Sequence, residues 1–246
     1  MFYYIFACDS KEIINPKSIE RRYKPSLCKY IKKGENGFII FDYGYKLIKS
    51  KEKLNENAQN ALCRIAECKD ESEVKSMQEF VRGAKTFIEN ENNTYKSASC
   101  QIYFDGLKGF SVLSKANYYA IENIILDYTL MQAYMQKFQD FQDQATQSIN
   151  KNKHEILKQI YLFDLQMYFS APIGMGAYQG YEIWQKLAKI TGLSAKHDEM
   201  LTQVSNLAKL VNEKRQNTIK LFLTIISICL ATISAFAVLP IIKALF

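Results

Sequence analysis

Arg21, Arg22, Lys24, Lys29, Lys32 and Lys33 lie close together and interleave with Tyr23 and Tyr30. Cations that meet phosphates, beside rings that stack on bases, are what a nucleic-acid surface requires. The same stretch also reads as a solvated basic loop, or as a segment drawn to anionic lipid headgroups. The basic excess is local: residues 11–53 carry twelve Lys or Arg against five acids, in a chain of formal net charge +7.

Other reactive side chains are dispersed. His154 and His197 are the two histidines, more than forty residues apart and without neighbouring Cys or His to complete a metal site. The six cysteines, Cys8, Cys28, Cys63, Cys68, Cys100 and Cys229, form no Cys-x-x-Cys pair, so reduced thiols are expected rather than a disulfide framework or a zinc site. Gly174-Met-Gly176 lacks the strand before it and the Lys after it that a phosphate loop needs. No nucleophile elbow, Walker loop or dinucleotide fingerprint appears. Asp42, a lone acid in an aromatic turn, is expected to bond turn amides. The chain is therefore predicted to be no enzyme and to need no cofactor or metal.

The elements predicted to carry these residues fall into four parts. Residues 1–113 read as a small α/β domain with strands over Phe2–Ala7, Phe38–Phe41, Ser99–Phe104 and Gly109–Leu113, the last two joined by Asp105-Gly106. Tyr43-Gly44-Tyr45 reads as a turn, and Leu54, Ala58, Ala61, Leu62 and Ile65 predict a helix over Glu52–Cys68. Residues 114–192 read as a helical domain. In it, Ser114 caps a long helix with the stripe Ile121, Ile124, Tyr128, Met131, Met135, Phe138, Ala145 and Ile149, and a second helix covers Lys153–Phe169.

In residues 193–217, Leu193, Met200 and Leu207 repeat at seven, with His197, Val204 and Val211 between them. That spacing suits a coiled-coil stalk, and equally a helix packed on the chain's own body. Leu193, Met200, Val204, Leu207 and Val211 are thus the oligomerisation candidates, and a homo-oligomer is expected. In residues 218–246, Leu221 to Ile242 carries no charge, enough to reach across a hydrocarbon layer of ~30 Å. Lys209, Lys214, Arg215 and Lys220 precede it and Lys243 alone follows, which predicts a single-pass inner-membrane protein with its body in the cytoplasm. The fold expected is α+β: a small α/β layer, a long-helix bundle, a coiled-coil-like stalk and one C-terminal transmembrane helix.

Gly37-Phe-Ile-Ile-Phe-Asp-Tyr-Gly44 resembles the early strand and aromatic-Asp-Tyr-Gly turn of the required-for-meiotic-nuclear-division family, with Asp42, Tyr43 and Gly44 as the matching turn. The long helix at Ala116-Asn-Tyr-Tyr-Ala-Ile-Glu, the Pro172–Trp184 stretch and the helix through Asn212-Glu-Lys-Arg215 fall where that family's later elements do. The resemblance implies a membrane-held homo-oligomer associated with support of translation, which would give the basic segment a ribosomal RNA partner. Glu213 to Ser227 is also similar to the stalk helix of CorA-type transporters, without their Gly-Met-Asn motif or second span. Together these readings predict a self-associating, tail-anchored scaffold that tethers a ribosome or RNA partner and has no small-molecule substrate. An oligomeric single-span pore, gated by the body, is the alternative.

Overall fold

A computed structural model describes residues 1–19, 22–53, 60–82, 93–97, 100–106, 108–114, 119–147, 153–174 and 178–245, the side chains of 114, 119, 120, 147, 153 and 231–245 excepted. The chain opens with strand β1, Phe2–Cys8, followed by a short 3-10 turn, Ser10–Glu12, capped by Asp9. Next come β2 (Lys17–Ser18), the one-turn helix α1 (Pro25–Cys28), β3 (Ile31–Lys33), β4 (Gly37–Ile40) and β5 (Tyr43–Ser50). Then follow β6 (Cys63–Cys68), α2 (Glu71–Arg82), β7 (Thr94–Lys96), β8 (Cys100–Phe104) and β9 (Gly109–Ser114). Four helices complete the chain: α3 (Tyr119–Gln147), α4 (Lys153–Gln166), α5 (Tyr178–Thr191) and α6 (Leu193–Leu245).

The strands form one mixed sheet in the order β2-β3-β4-β5-β1-β6-β9-β8-β7. All neighbours are antiparallel except β6 and β9, which run parallel from Arg64↔Gly109 to Cys68↔Leu113. Alternation sorts the side chains to two faces. Tyr3, Ile5, Cys63, Ile65, Ile102, Phe104, Phe110 and Val112 join the large core shared with α3 to α6. Cys68, Leu113 and Tyr103 face the other way, where Val74 and Met77 of α2 cover them. The expected α/β layer and helical region thus share one core.

α3 lies between the sheet and the later helices, so it is apolar on more than one side: Ile121, Tyr128, Leu130, Met131, Tyr134 and Phe138 are all buried. Trp184 of α5 is fully buried, its indole N–H donating to the Ser170 carbonyl at 2.8 Å. Gly192, at φ +68, turns α5 into α6, the left-handed residue that commonly ends a helix.

Several expectations are corrected. Cys63–Cys68, predicted helical, is a central strand between β1 and β9; Leu54 and Ala58, two of the five positions of the helical pattern, lie outside the described residues. Ser114 ends β9 and does not begin the long helix, which starts at Tyr119. Tyr43-Gly44-Tyr45 lies within β5, and the reversal sits two residues earlier, at Phe41-Asp42. No long coiled-coil stalk occupies 193–217: Leu193, Met200, Val204 and Leu207 are buried in the chain's own core, with Val211 packed against it.

The membrane anchor is corrected as well. Among the described residues no helix is long and apolar enough to cross a membrane. α6 is 53 residues long, but Lys209, Glu213, Lys214, Arg215 and Lys220 occupy its middle. The transmembrane, tail-anchored and single-pass inner-membrane readings are withdrawn with it.

Candidate functional site

The basic segment does not present the surface its composition suggested. Arg21 lies outside the described residues. Arg22-Tyr23-Lys24 runs antiparallel to Pro172-Ile173-Gly174: the Lys24 amide donates to the Pro172 carbonyl at 2.9 Å and the Gly174 amide to the Arg22 carbonyl at 3.1 Å. This pairing turns Arg22 inward, where its Nε donates to Asp127 Oδ1 at 3.0 Å, its Nη2 donates to Oδ2, and Nη2 also reaches the Asn123 carbonyl at 3.3 Å. Tyr23, buried, donates its hydroxyl to Asp127 Oδ1 at 2.7 Å. Burial opposes the Arg22 charge, but the Asp127 carboxylate more than offsets it and holds the guanidinium pKa above its ordinary value. Burial pushes the Asp127 carboxyl up, against the pull of Arg22 and Tyr23.

The remaining cations are dispersed. Lys24 Nζ sits 4.6 Å from the Phe169 ring centroid, while Lys29 and Lys32 stand exposed. Lys33 and Lys49 both pair with Glu122, at 2.9 and 3.0 Å. Tyr23 is buried and Tyr30 packs partly against the core, so neither ring is fully open for stacking on bases. The hydrogen bond from Lys33, helped by Lys49, lowers the Glu122 pKa against the opposing effect of burial. A carboxylate whose folded pKa is depressed contributes stability above its unfolded pKa, lost as pH falls through the folded one. Glu122→Gln should therefore cost less than ~1 kcal/mol at neutral pH, since the pair is partly solvated, and the difference from wild type should vanish in acid. Urea unfolding at several pH values checks this.

Each histidine is placed on a helix. His154 is exposed on α4. His197 stacks on Tyr168 at 3.9 Å between centroids and its Nε2 lies 2.6 Å from Asp164 Oδ1, so it ties α6 to α4. Among the described residues no group of three His, Cys, Asp or Glu could hold a metal ion. No disulfide forms among the described residues, and burial pushes Cys63 up and Cys68 up to about 12, which keeps those thiols protonated. Residues 175–177, which include Gly176, lie outside the described residues.

The turn Asp42-Tyr43-Gly44 does sit at a cleft. Ile40 pairs with Tyr43, so Phe41 and Asp42 form a two-residue hairpin loop, with φ +53 and +83. Hairpins of this kind want positive φ at both central positions and usually take Asn-Gly, so Phe and Asp here are strained by about 1 kcal/mol or more each. The Phe41 ring holds the turn: it is buried at 5.3 Å from both Tyr134 and Phe163. Gly44 is required by close approach, because a Cβ there would stand 2.7 Å from the Cys8 carbonyl oxygen and 2.8 Å from the Ser10 nitrogen.

Between this turn, the end of β1 and helix α3 opens a cleft of about 480 Å³, whose polar lining includes Asp9, Asp42, Tyr43, Tyr45 and Gln136. The Tyr43 hydroxyl donates to Asp140, and Gln136 Nε2 donates to the same carboxylate at 2.8 Å. Burial first, then Asp140, raises the pKa of both Tyr43 and Tyr45, so both remain phenols. Asp42, expected to bond turn amides, makes no hydrogen bond among the described residues. The cleft was not foreseen. Only the Asp42-Tyr43-Gly44 turn had been singled out, and the α3 side of the site is more than eighty residues away in sequence.

What this defines is a mixed sheet with one helix on one face, a helical layer on the other, and a helix that runs on beyond the body. The chain matches no protein-family model, no curated protein and no solved structure.

Proposed function

We propose that the chain is a non-enzymatic scaffold that assembles with copies of itself through the part of α6 beyond Val211. The observation that carries this is the exposure of Ile219, Leu221, Phe222, Leu223, Ile225, Ile226, Ile228 and Leu230, each between 40% and 64% exposed. At 100° per residue these positions cover about 220° of the helix circumference, and Lys220, Thr224 and Ser227 occupy the remainder. An apolar face that wide is more than one neighbour covers, and a bundle of copies would bury it while leaving the polar stripe in water. Each such side chain exposes on the order of 100 Å², so together they offer roughly the ~800 Å² per partner of a standard interface. The heptad residues do not provide this contact, because the body already uses them.

Sedimentation velocity on the full chain tests the reading. A mass at a multiple of 28.4 kDa is expected, reduced to 28.4 kDa when Phe222, Ile225 and Ile228 are each replaced by Glu, with helical circular dichroism retained. A wild-type monomer would overturn it, whether free or found floating with lipid vesicles. So would an oligomer that the three substitutions leave unchanged.

A further inference from the structure

The cleft beside Asp42 has features that self-assembly does not use. The charged side chains lining it, Asp9 and Asp42, are both acidic, and Asp140 stands behind Tyr43. Asp9 is engaged, accepting from the Lys11 amide at 2.9 Å and capping the 3-10 turn. Asp140 is engaged by Tyr43 and Gln136. Asp42 has no hydrogen-bond or ion-pair partner among the described residues. A second, independent feature is Tyr45: the residue is only 3% exposed, it lines the cleft, and its hydroxyl has no hydrogen-bond partner among the described residues. The hydroxyl is not among the fully enclosed unbonded atoms, so the otherwise buried Tyr45 opens its polar tip on the cleft, where a ligand can bond it. The nearby cations do not fill the space. Lys137 Nζ sits against the Tyr43 and Phe141 rings, 5.5 and 5.1 Å from their centroids, and Lys46, which interacts with Cys8, is not among the residues lining the cleft.

We propose that this cleft binds an organic cation, a primary ammonium or guanidinium group, with the Asp42 carboxylate as its counter-ion and the Tyr45 hydroxyl accepting one of its hydrogen bonds. An anion would meet two carboxylates and no lining cation. A bare metal ion would find too few ligands, and the volume is that of a small organic molecule. The Tyr43 and Tyr45 rings supply aromatic walls, which favour a desolvated cation. The cation could be a free amine or the tip of an arginine or lysine side chain in a peptide, two sources of one chemistry.

Calorimetric titration of the full chain with agmatine, and separately with N-acetyl-arginine amide, distinguishes the sources. Saturable binding of at least one is expected, with the stronger probe identifying the source. Asp42→Asn and Tyr45→Phe should each weaken it about tenfold or more, the loss of one hydrogen bond to a charged group. Neither side chain bonds the rest of the fold, and Asn suits the positive φ at 42, so both variants should unfold at the wild-type midpoint. Absence of saturation with both probes, or affinities unchanged in both variants, would overturn the assignment.

Discussion

Arg22→Ala is expected to destabilise the protein by about 3–5 kcal/mol, the cost of leaving a buried carboxylate without its partner. Asp127 is fully buried on α3 and spends its acceptor sites on Arg22 and Tyr23. Removing the guanidinium strands that charge where water cannot reach it. Asp127→Ala should be comparably severe, because it strands the Arg22 cation and the Tyr23 hydroxyl together. The informative variants replace the whole group. Arg22→Met with Asp127→Leu removes both charges but leaves the Tyr23 hydroxyl buried and unbonded, at a cost of about 1–3 kcal/mol. Adding Tyr23→Phe should recover most of that. Urea midpoints with m-values for the four proteins check the series. A loss below about 1 kcal/mol in Arg22→Ala would mean that water reaches the pair and that it does not hold the 22–24 segment to Pro172–Gly174.

That pairing shows where the sequence stops being informative. Arg22 and Asp127 lie 105 residues apart, and nothing local marks either as the other's partner. Composition correctly identifies 21–33 as basic, but whether a cation faces solvent depends on what folds back onto it. Local patterns serve better. β1, β4, β8 and β9 follow from short apolar runs closed by Gly or polar residues, and Asp105-Gly106 does join an antiparallel hairpin. The α3 stripe likewise becomes core.

β6 defeats the same reasoning, because Ala61, Leu62 and Ile65 fit a helical period as well as Cys63, Ile65 and Ala66 fit a buried strand. The start of α2 is marked locally: Asp70 accepts from the Ser72 amide at 2.9 Å while Glu73 reaches back to the Lys69 amide at 3.0 Å, close to a capping box. The heptad in α6 is real in period and intramolecular in use, since an apolar stripe specifies burial without specifying against what. The Phe41-Asp42 turn was displaced by two residues because neither is a residue that favours positive φ. It forms because the buried Phe41 ring offsets the backbone cost.

Gly109→Ala should be the most damaging single methyl in the molecule, at about 4 kcal/mol or more, or should prevent folding. Gly109 sits at φ +144, and a Cβ there would lie 1.8 Å from the Arg64 carbonyl oxygen and 2.8 Å from its carbon. The contact is with backbone, and that backbone cannot retreat: Arg64 pairs with Gly109 on one side and Tyr4 on the other, and its amide donates to the Lys108 carbonyl at 2.9 Å. β9 is pinned too, by the Asp105 amide bonding the Gly109 carbonyl at 2.9 Å and by the β8 ladder. Relief would require opening the single parallel junction that joins the antiparallel strands on either side of it. Gly106 in the same hairpin provides the control. It also has positive φ, +54, but a Cβ there meets nothing within 4 Å, so Gly106→Ala should cost only the conformational penalty of about 1–2 kcal/mol, and Gly106→Asn less. Thermal unfolding of the three variants separates strain from collision. Equal losses at 106 and 109 would mean that β6 and β9 do not approach in the register Arg64↔Gly109, and that the sheet is joined in some other way.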